Sequence, residues 1–93
     1  MAQIIRRAFT FYGQVQGVGF RYTARHLADH YGLTGWVRNE YDGSVSMELQ
    51  GTALDISSFL HSLEDGRFIQ IDRIDSKNVP VVDGERRFRV EPY

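Results

Sequence analysis

Residues 4–32, IIRRAFTFYGQVQGVGFRYTARHLADHYG, predict a strand, a glycine-rich loop and a helix in direct succession. Aromatic and small side chains alternate with a rough period of two in residues 4–12, which indicates a first strand. Three glycines within residues 13–19 supply a conformational freedom that a strand does not need, so this segment is predicted to be a loop. From Phe20 the apolar residues recur at helical spacing, and Gly32 stands where a left-handed C-cap is expected.

The middle of the chain predicts a hairpin followed by a second helix. Residues 34–40 and 44–50 have the composition of strands, and they flank the turn sequence Tyr41-Asp42-Gly43. The second of these strands alternates apolar and polar side chains, so one of its faces is expected to be buried. Thr52 then begins a helix in a variant of the capping box, and the helix ends before Gly66.

Two more strands are predicted at residues 67–75 and 86–91, with residues 78–85 as their connector. The order is therefore strand, helix, strand, strand, helix, strand, with a short final strand. This order is typical of the split βαβ fold, an α+β arrangement in which an antiparallel sheet carries both helices on one face. Because this fold serves many unrelated functions, the function has to be inferred from a site.

Composition limits the function before any motif is considered. Ninety-three residues are enough for one core, so residues 1–93 are expected to form a single domain. Eleven Lys and Arg against twelve Asp and Glu leave a formal charge of −1, which indicates no general attraction to nucleic acid or to an anionic membrane. The chain has no cysteine, which excludes disulfides, thiolate catalysis and cysteine-bound metal centres.

The N-terminus does not resemble a signal peptide, because Arg6 and Arg7 follow only a few apolar residues. No apolar run reaches membrane-spanning length. We therefore expect a cytoplasmic protein that does not associate with a membrane. The chain is also expected to be a monomer that binds a small molecule and no nucleic acid.

A glycine loop that ends a strand and opens a helix is typical of an anion-binding site. Its N–H groups point to one place, and the helix dipole adds about half a positive charge there. Glycines at 13, 17 and 19 would let the backbone approach an anion closely, and the Arg21 guanidinium matches phosphate oxygens. An ordinary glycine-rich turn beside a solvated arginine explains the loop equally well. The candidate phosphate-binding residues are Val15, Gln16, Gly17, Val18, Gly19, Phe20 and Arg21.

Residues 13–21 exclude several kinds of phosphate chemistry. They lack the Gly-Lys-Ser/Thr ending of a P-loop and the spacing of the dinucleotide fingerprint. They also contain no side chain that could act as a nucleophile or a general acid. An acyl phosphate needs no acid, because it expels a carboxylate whose parent acid has a pKa of about 4 to 5. The loop therefore suits hydrolysis of an acyl phosphate by water better than hydrolysis of a phosphate monoester.

Asn39 is the second candidate site residue. It shares one face of the second predicted strand with Val37. In a right-handed strand–helix–strand crossover the first two strands are parallel and end at the same edge of the sheet, which brings Asn39 beside the glycine loop. Its amide would hold a water in line with a bound phosphoryl group. The commoner role for such a residue is to cap the end of a hairpin strand.

Two segments together resemble the signatures of the acylphosphatase family, namely residues 13–21, GQVQGVGFR, and residues 35–51, GWVRNEYDGSVSMELQG. The resemblance implies a ferredoxin-like fold and hydrolysis of an acyl phosphate to a carboxylate and phosphate, without metal or cofactor. It assigns phosphate binding to the loop and Arg21, and orientation of the attacking water to Asn39. Gln14 stands where relatives often have a basic residue, which implies a less positive entrance to the phosphate-binding site.

The sequence also leaves other functions open. The chain could be a non-catalytic module that binds phosphate or another anion, or it could handle carbamoyl phosphate, as similar domains do within larger hydrogenase-maturation proteins. An RNA-binding sheet is disfavoured, because the third strand has no aromatic side chain. His26 and His30 have the spacing of metal ligands but lack the carboxylate of a metalloprotease motif, so we expect a solvated pair.

Overall fold

The computed structural model describes residues 2–66 and 68–92. Its helices and strands follow the predicted order. Their bounds are β1 (Ile4–Gln14), α1 (Phe20–Tyr31), β2 (Thr34–Asn39), β3 (Val45–Thr52), α2 (Ala53–Glu64), β4 (Gln70–Val79) and β5 (Phe88–Val90).

The strands form one sheet in the order β4-β1-β3-β2-β5. Because β3 is antiparallel to both β1 and β2, these two strands run parallel and end at the same edge of the sheet. Phe11 of β1 and Met47 of β3 are fully buried in a core that also contains Phe20 of α1 and Phe59 of α2. The predicted ferredoxin-like α+β fold is confirmed. One detail differs, because β5 pairs in parallel with β2 and the sheet is therefore mixed.

The end of α1 and the start of α2 are capped as the sequence predicts. Gly32 has a φ of 68° and its N–H donates to the Asp29 carbonyl, while the Leu33 N–H donates to the Ala28 carbonyl at 2.8 Å. At the start of α2, the Thr52 hydroxyl accepts a hydrogen bond from the backbone N–H of residue 55. Each of these helices has 12 residues, and none in the described part of the chain has the length and apolar character needed to cross a bilayer.

The fourth strand differs from its prediction. It was expected over residues 67–75 but occupies Gln70–Val79, while Arg67 lies outside the described residues. Most of its side chains are exposed, so apolar alternation does not mark its bounds. Antiparallel pairing with residues 6–14 of β1 determines them instead. The last strand is also shorter than predicted, with three residues rather than the six of 86–91.

A buried ion-pair network ties the segment before β5 to the sheet face opposite the helices. Arg6 Nε lies 2.7 Å from Glu48 Oε1, and Arg6 Nη1 lies 2.7 Å from Glu85 Oε1. The side chains of Arg6 and Glu85 are only 2% and 5% exposed. Burial alone would raise the pKa of Glu85, but hydrogen bonds from Arg6 and Thr34 outweigh it and lower that pKa. The network thus fixes the chain just before β5.

Replacing Glu85 with Gln is expected to lower the free energy of unfolding by about 3 kcal/mol. This value is the lower end of the range for breaking a buried ion pair, because Glu48 still pairs with Arg6. The folded-state pKa of Glu85 is depressed, so its stabilising effect is fully present above the ordinary glutamate pKa of about 4.3. The effect is lost as the pH falls through the folded-state pKa. Urea unfolding of both proteins across the acidic range, followed by circular dichroism, measures the difference.

The stability difference between the wild type and Glu85→Gln should narrow as the pH falls. Glu91→Gln serves as the control, because its carboxylate pairs with Arg89 in a half-exposed position and such pairs contribute about 0–1 kcal/mol. A stability difference that does not change with pH would contradict the conclusion that the ionised carboxylate of Glu85 stabilises the fold.

Candidate active site

The loop between β1 and α1 ends in an uncapped helix N-terminus. Gly17 and Gly19 have φ values of 73° and 79°. A Cβ at either position would meet no atom within 4 Å, so the backbone conformation, rather than space, favours glycine there. Gly19 is the N-cap of α1, and the first turn carries no acidic residue. The N–H groups of this turn therefore have no capping side chain and face outward as donors for an anion.

Gly13 has a different role from the one predicted for it. It lies at a bulge where the register between β1 and β4 shifts, and its φ is 130°. A Cβ there would overlap the carbonyl oxygen of Gln70 and come within 2.9 Å of the backbone N of Asp72. Gly13 is therefore required for strand pairing with β4, and it does not line the cleft described next.

A cleft of about 370 Å³ opens where the glycine loop, α1 and the ends of β2 and β5 meet. This is the sheet edge at which β1 and β2 both end. The residues that line the cleft are Val15, Gly17, Gly19, Phe20, Arg21, Tyr22, Arg25, Asn39 and Val90.

Arg21 and Asn39 line this cleft together. Arg21 is half-buried, and no ion pair joins its guanidinium to residues 2–66 or 68–92. Asn39 is only 8% exposed, and its Oδ1 has no hydrogen-bond partner in the described part of the chain. A buried polar atom without a partner is costly, so such an atom on a cleft wall indicates a place for a ligand or water.

The hairpin turn does not use Asn39 as a cap. Asp42 Oδ1 accepts a hydrogen bond from the Ser44 backbone N–H at 2.9 Å and another from the Ser44 hydroxyl. The hydrogen bond from the Ser44 hydroxyl, together with that from its N–H, lowers the pKa of Asp42. The turn is therefore closed by Asp42, which leaves the amide of Asn39 available to the cleft.

Gln16 and Val18 belong to the loop whose backbone is predicted to bind phosphate, and neither residue is among those that line the cleft. Gln16 Nε2 donates hydrogen bonds to the carbonyl oxygens of Glu40 and Ser44 at 2.7 and 2.8 Å. Val18 packs against the hydrophobic core. The side chains of these two residues therefore hold the loop against the β2–β3 hairpin and the core.

Three residues of the cleft were missed by the sequence interpretation. Arg25 follows Arg21 by four residues, a spacing that places both on one face of α1 and that could have revealed it. Tyr22 is 83% exposed at the cleft. Val90 reaches the cleft because β5 pairs with β2 and sets Val90 opposite Val37, which no local pattern indicates.

The histidines of α1 lie outside the cleft. His26 and His30 are both exposed, as expected for a solvated pair. No group of three or more His, Asp or Glu side chains that could hold a metal ion occurs in residues 2–66 and 68–92.

A family model described as Acylphosphatase matches residues 7–90 of the chain. An acylphosphatase from Clostridium acetobutylicum is 42% identical over 79 residues, which cover 84% of this chain and 87% of the relative. The crystal structure of an acylphosphatase from Bacillus subtilis matches with a TM-score of 0.86 at 31% identity, covering 96% of this chain and 99% of that one.

A crystal structure of full-length HypF in its phosphate- and nucleotide-bound form also matches, with a TM-score of 0.86 at 30% identity. This match covers 98% of the present chain but only 12% of HypF. The chain thus resembles a small part of HypF, whereas it matches relatives of its own size over most of their length.

Proposed function

Since the chain belongs to the acylphosphatase family, we propose that Arg21 and the start of α1 bind the phosphoryl group of the substrate while Asn39 positions the attacking water. The enzyme hydrolyses the carboxyl–phosphate bond of a small acyl phosphate and releases a carboxylate and inorganic phosphate. One observation carries the roles of the residues. One cleft at the uncapped end of a helix is lined by Arg21, whose guanidinium forms no ion pair with residues 2–66 or 68–92, and by Asn39, whose Oδ1 has no hydrogen-bond partner in those residues.

Phosphoryl binding follows from the charges of the cleft. The N–H groups of the loop and of the first turn of α1 donate to phosphoryl oxygens, and the helix dipole adds positive potential. Arg21 adds two parallel donors with a fixed separation that matches two oxygens of one phosphate. Because no carboxylate of the described residues lines the cleft, none of them neutralises this potential there.

Water attack is directed by Asn39. Its Oδ1 accepts a hydrogen bond from the water, which orients a lone pair of the water oxygen toward phosphorus and in line with the leaving carboxylate. The side chain is nearly buried at the end of β2, so the water is held in one place. Attack forms the new P–O bond while the P–O bond to the acyl group breaks.

In the part of the chain that the structure describes, no carboxylate or imidazole lines the cleft to act as a general base or acid. In the proposed mechanism the proton of the water passes to a phosphoryl oxygen of the substrate. The acyl group leaves as a carboxylate, which is stable at neutral pH without protonation. A phosphate monoester would have to expel an alkoxide at the same site and is expected to be a poor substrate.

Hydrolysis of benzoyl phosphate in ¹⁸O-labelled water, with a chelator present, tests this function. Attack at phosphorus is expected to place the label in inorganic phosphate, which mass spectrometry detects. The rate should not change with chelator, and phenyl phosphate should be hydrolysed at least about 10³-fold more slowly, because its leaving group is far more basic. Label in the benzoate would contradict attack at phosphorus.

Asn39 favours the catalytic role over a non-catalytic anion module, since an anion sensor needs no nearly buried amide on its cleft wall whose oxygen lacks a partner in the described residues. We propose further that residues 1–93 act as one domain and as a monomer, without nucleic acid. The single sheet that includes every strand of the described residues supports one domain. The near-neutral charge supports the absence of nucleic-acid binding. Light scattering after gel filtration tests the monomer, and the cytoplasmic location stays a prediction for cell fractionation.

A further inference from the structure

Arg25 lines the cleft but has no part in the mechanism described above. It lies four residues after Arg21 on α1, which places it about 6 Å further along the helix axis. Its side chain is exposed, and no carboxylate of residues 2–66 or 68–92 forms an ion pair with it. A second cation thus lies unneutralised one helical turn beyond the phosphoryl-binding end.

We propose that Arg25 binds an anionic group on the acyl part of the substrate. The enzyme then prefers acyl phosphates whose acyl group carries a carboxylate or a second phosphate. This inference rests on the proposed function, in which the start of α1 and Arg21 hold the phosphoryl group. The axial separation of about 6 Å between the two arginines along α1 lets Arg25 contact an anionic group of the acyl part while Arg21 holds the phosphoryl group.

The remainder of the cleft fits the same class of substrate. Tyr22 and Val90 line the cleft together with the two arginines and offer apolar surface to a short hydrocarbon segment. Among the described residues, the side chains that line the cleft include two cations and no carboxylate, although Asp and Glu outnumber Lys and Arg in the whole chain. The acidic residues are therefore kept away from this one wall, which favours a substrate with more than one anionic group.

A matched pair of substrates isolates the role of Arg25. Benzoyl phosphate and 3-carboxybenzoyl phosphate differ by one carboxylate on a rigid ring, and kcat and KM are measured for both with the wild type and with Arg25→Met. Lys77→Met is the control variant, because it removes the same charge from an exposed position on β4, away from the cleft. Arg25→Lys shows how far a point charge replaces the planar guanidinium.

The variant Arg25→Met is expected to lower kcat/KM about 10- to 100-fold for 3-carboxybenzoyl phosphate, the effect of losing one charge-assisted contact. For benzoyl phosphate we expect a decrease of only about twofold to threefold, from the weaker general potential of the cleft. The larger loss should lie mainly in KM, since the contact is present before and during reaction. Arg25→Lys should recover part of it, and Lys77→Met should leave the ratio of the two substrates at its wild-type value.

Equal losses on both substrates would show that Arg25 binds the phosphoryl group itself and would overturn the proposal. No loss on either substrate would show a solvated arginine and would overturn it as well. Failure of the proposed function is a different result, namely that the wild type hydrolyses neither substrate.

Discussion

Arg21→Ala should lower kcat/KM for an acyl phosphate by about 10³-fold or more and should abolish binding of inorganic phosphate. The variant loses two charge-assisted donors that act on the phosphoryl group both before and during reaction. Single preorganised donors contribute about 10²- to 10³-fold, and an arginine on a transferring phosphoryl group contributes about 10³- to 10⁵-fold. Turnover of benzoyl phosphate and calorimetric titration with phosphate measure the two effects.

The fold should survive this substitution, since Arg21 is half-buried and forms no ion pair with the described residues. Arg86→Ala is the control, because it removes an exposed arginine from the segment before β5 and should keep wild-type activity. Arg21→Lys should be nearly as inactive as Arg21→Ala, since a point charge cannot bind two oxygens at a fixed separation. Substantial activity in Arg21→Lys would show that charge alone suffices.

Asn39→Ala should lower kcat by about 10²- to 10³-fold while the Kd for inorganic phosphate changes by less than about threefold. The reason is that Asn39 holds the attacking water, whereas the phosphoryl group is held by the loop and Arg21. Steady-state kinetics combined with phosphate inhibition separates the two effects. Retained turnover in Asn39→Ala would remove this residue from the mechanism.

The stability of Asn39→Ala offers an independent check. Asn39 Oδ1 accepts no hydrogen bond from residues 2–66 or 68–92, so replacing the side chain breaks no hydrogen bond between this oxygen and that part of the protein. We expect the free energy of unfolding to stay within about 0.5 kcal/mol of the wild type or to rise. The control is Asn78→Ala, an exposed asparagine on β4 that should affect neither turnover nor phosphate binding. A large loss of stability would instead assign Asn39 a structural role.

Local patterns predicted the elements of the fold well wherever one face is buried and the ends carry turn or capping residues. Thr52 and Gly32 are such ends, and both were located correctly. The fourth strand was misplaced because its side chains are mostly exposed, and its bounds depend on pairing with β1. Pairing partners are distant in the sequence, so no local pattern contains them.

The candidate site shows the same division. Arg21 and Asn39 were identified from the sequence, and the structure brings both to one cleft. The residues of the loop differ in what they contact, because Gly13 serves strand pairing and the Gln16 side chain bonds the hairpin backbone. These contacts cross 24 or more positions of the sequence, so composition alone could not separate a residue that faces the ligand from one that supports the loop.

By itself, the sequence determined the order of helices and strands, the glycine loop that opens α1, and the chemistry open to a site without cysteine. Those properties depend on residue type and on spacing within a few turns of chain. Only the tertiary structure decided that Val90 shares the cleft with Asn39, and that Asn39 Oδ1 is left without a partner in the described residues. The missing hydrogen bond of Asn39 and the pairing of Val90 with Val37, which lies 53 positions earlier in the sequence, both follow from packing, which residue spacing does not encode.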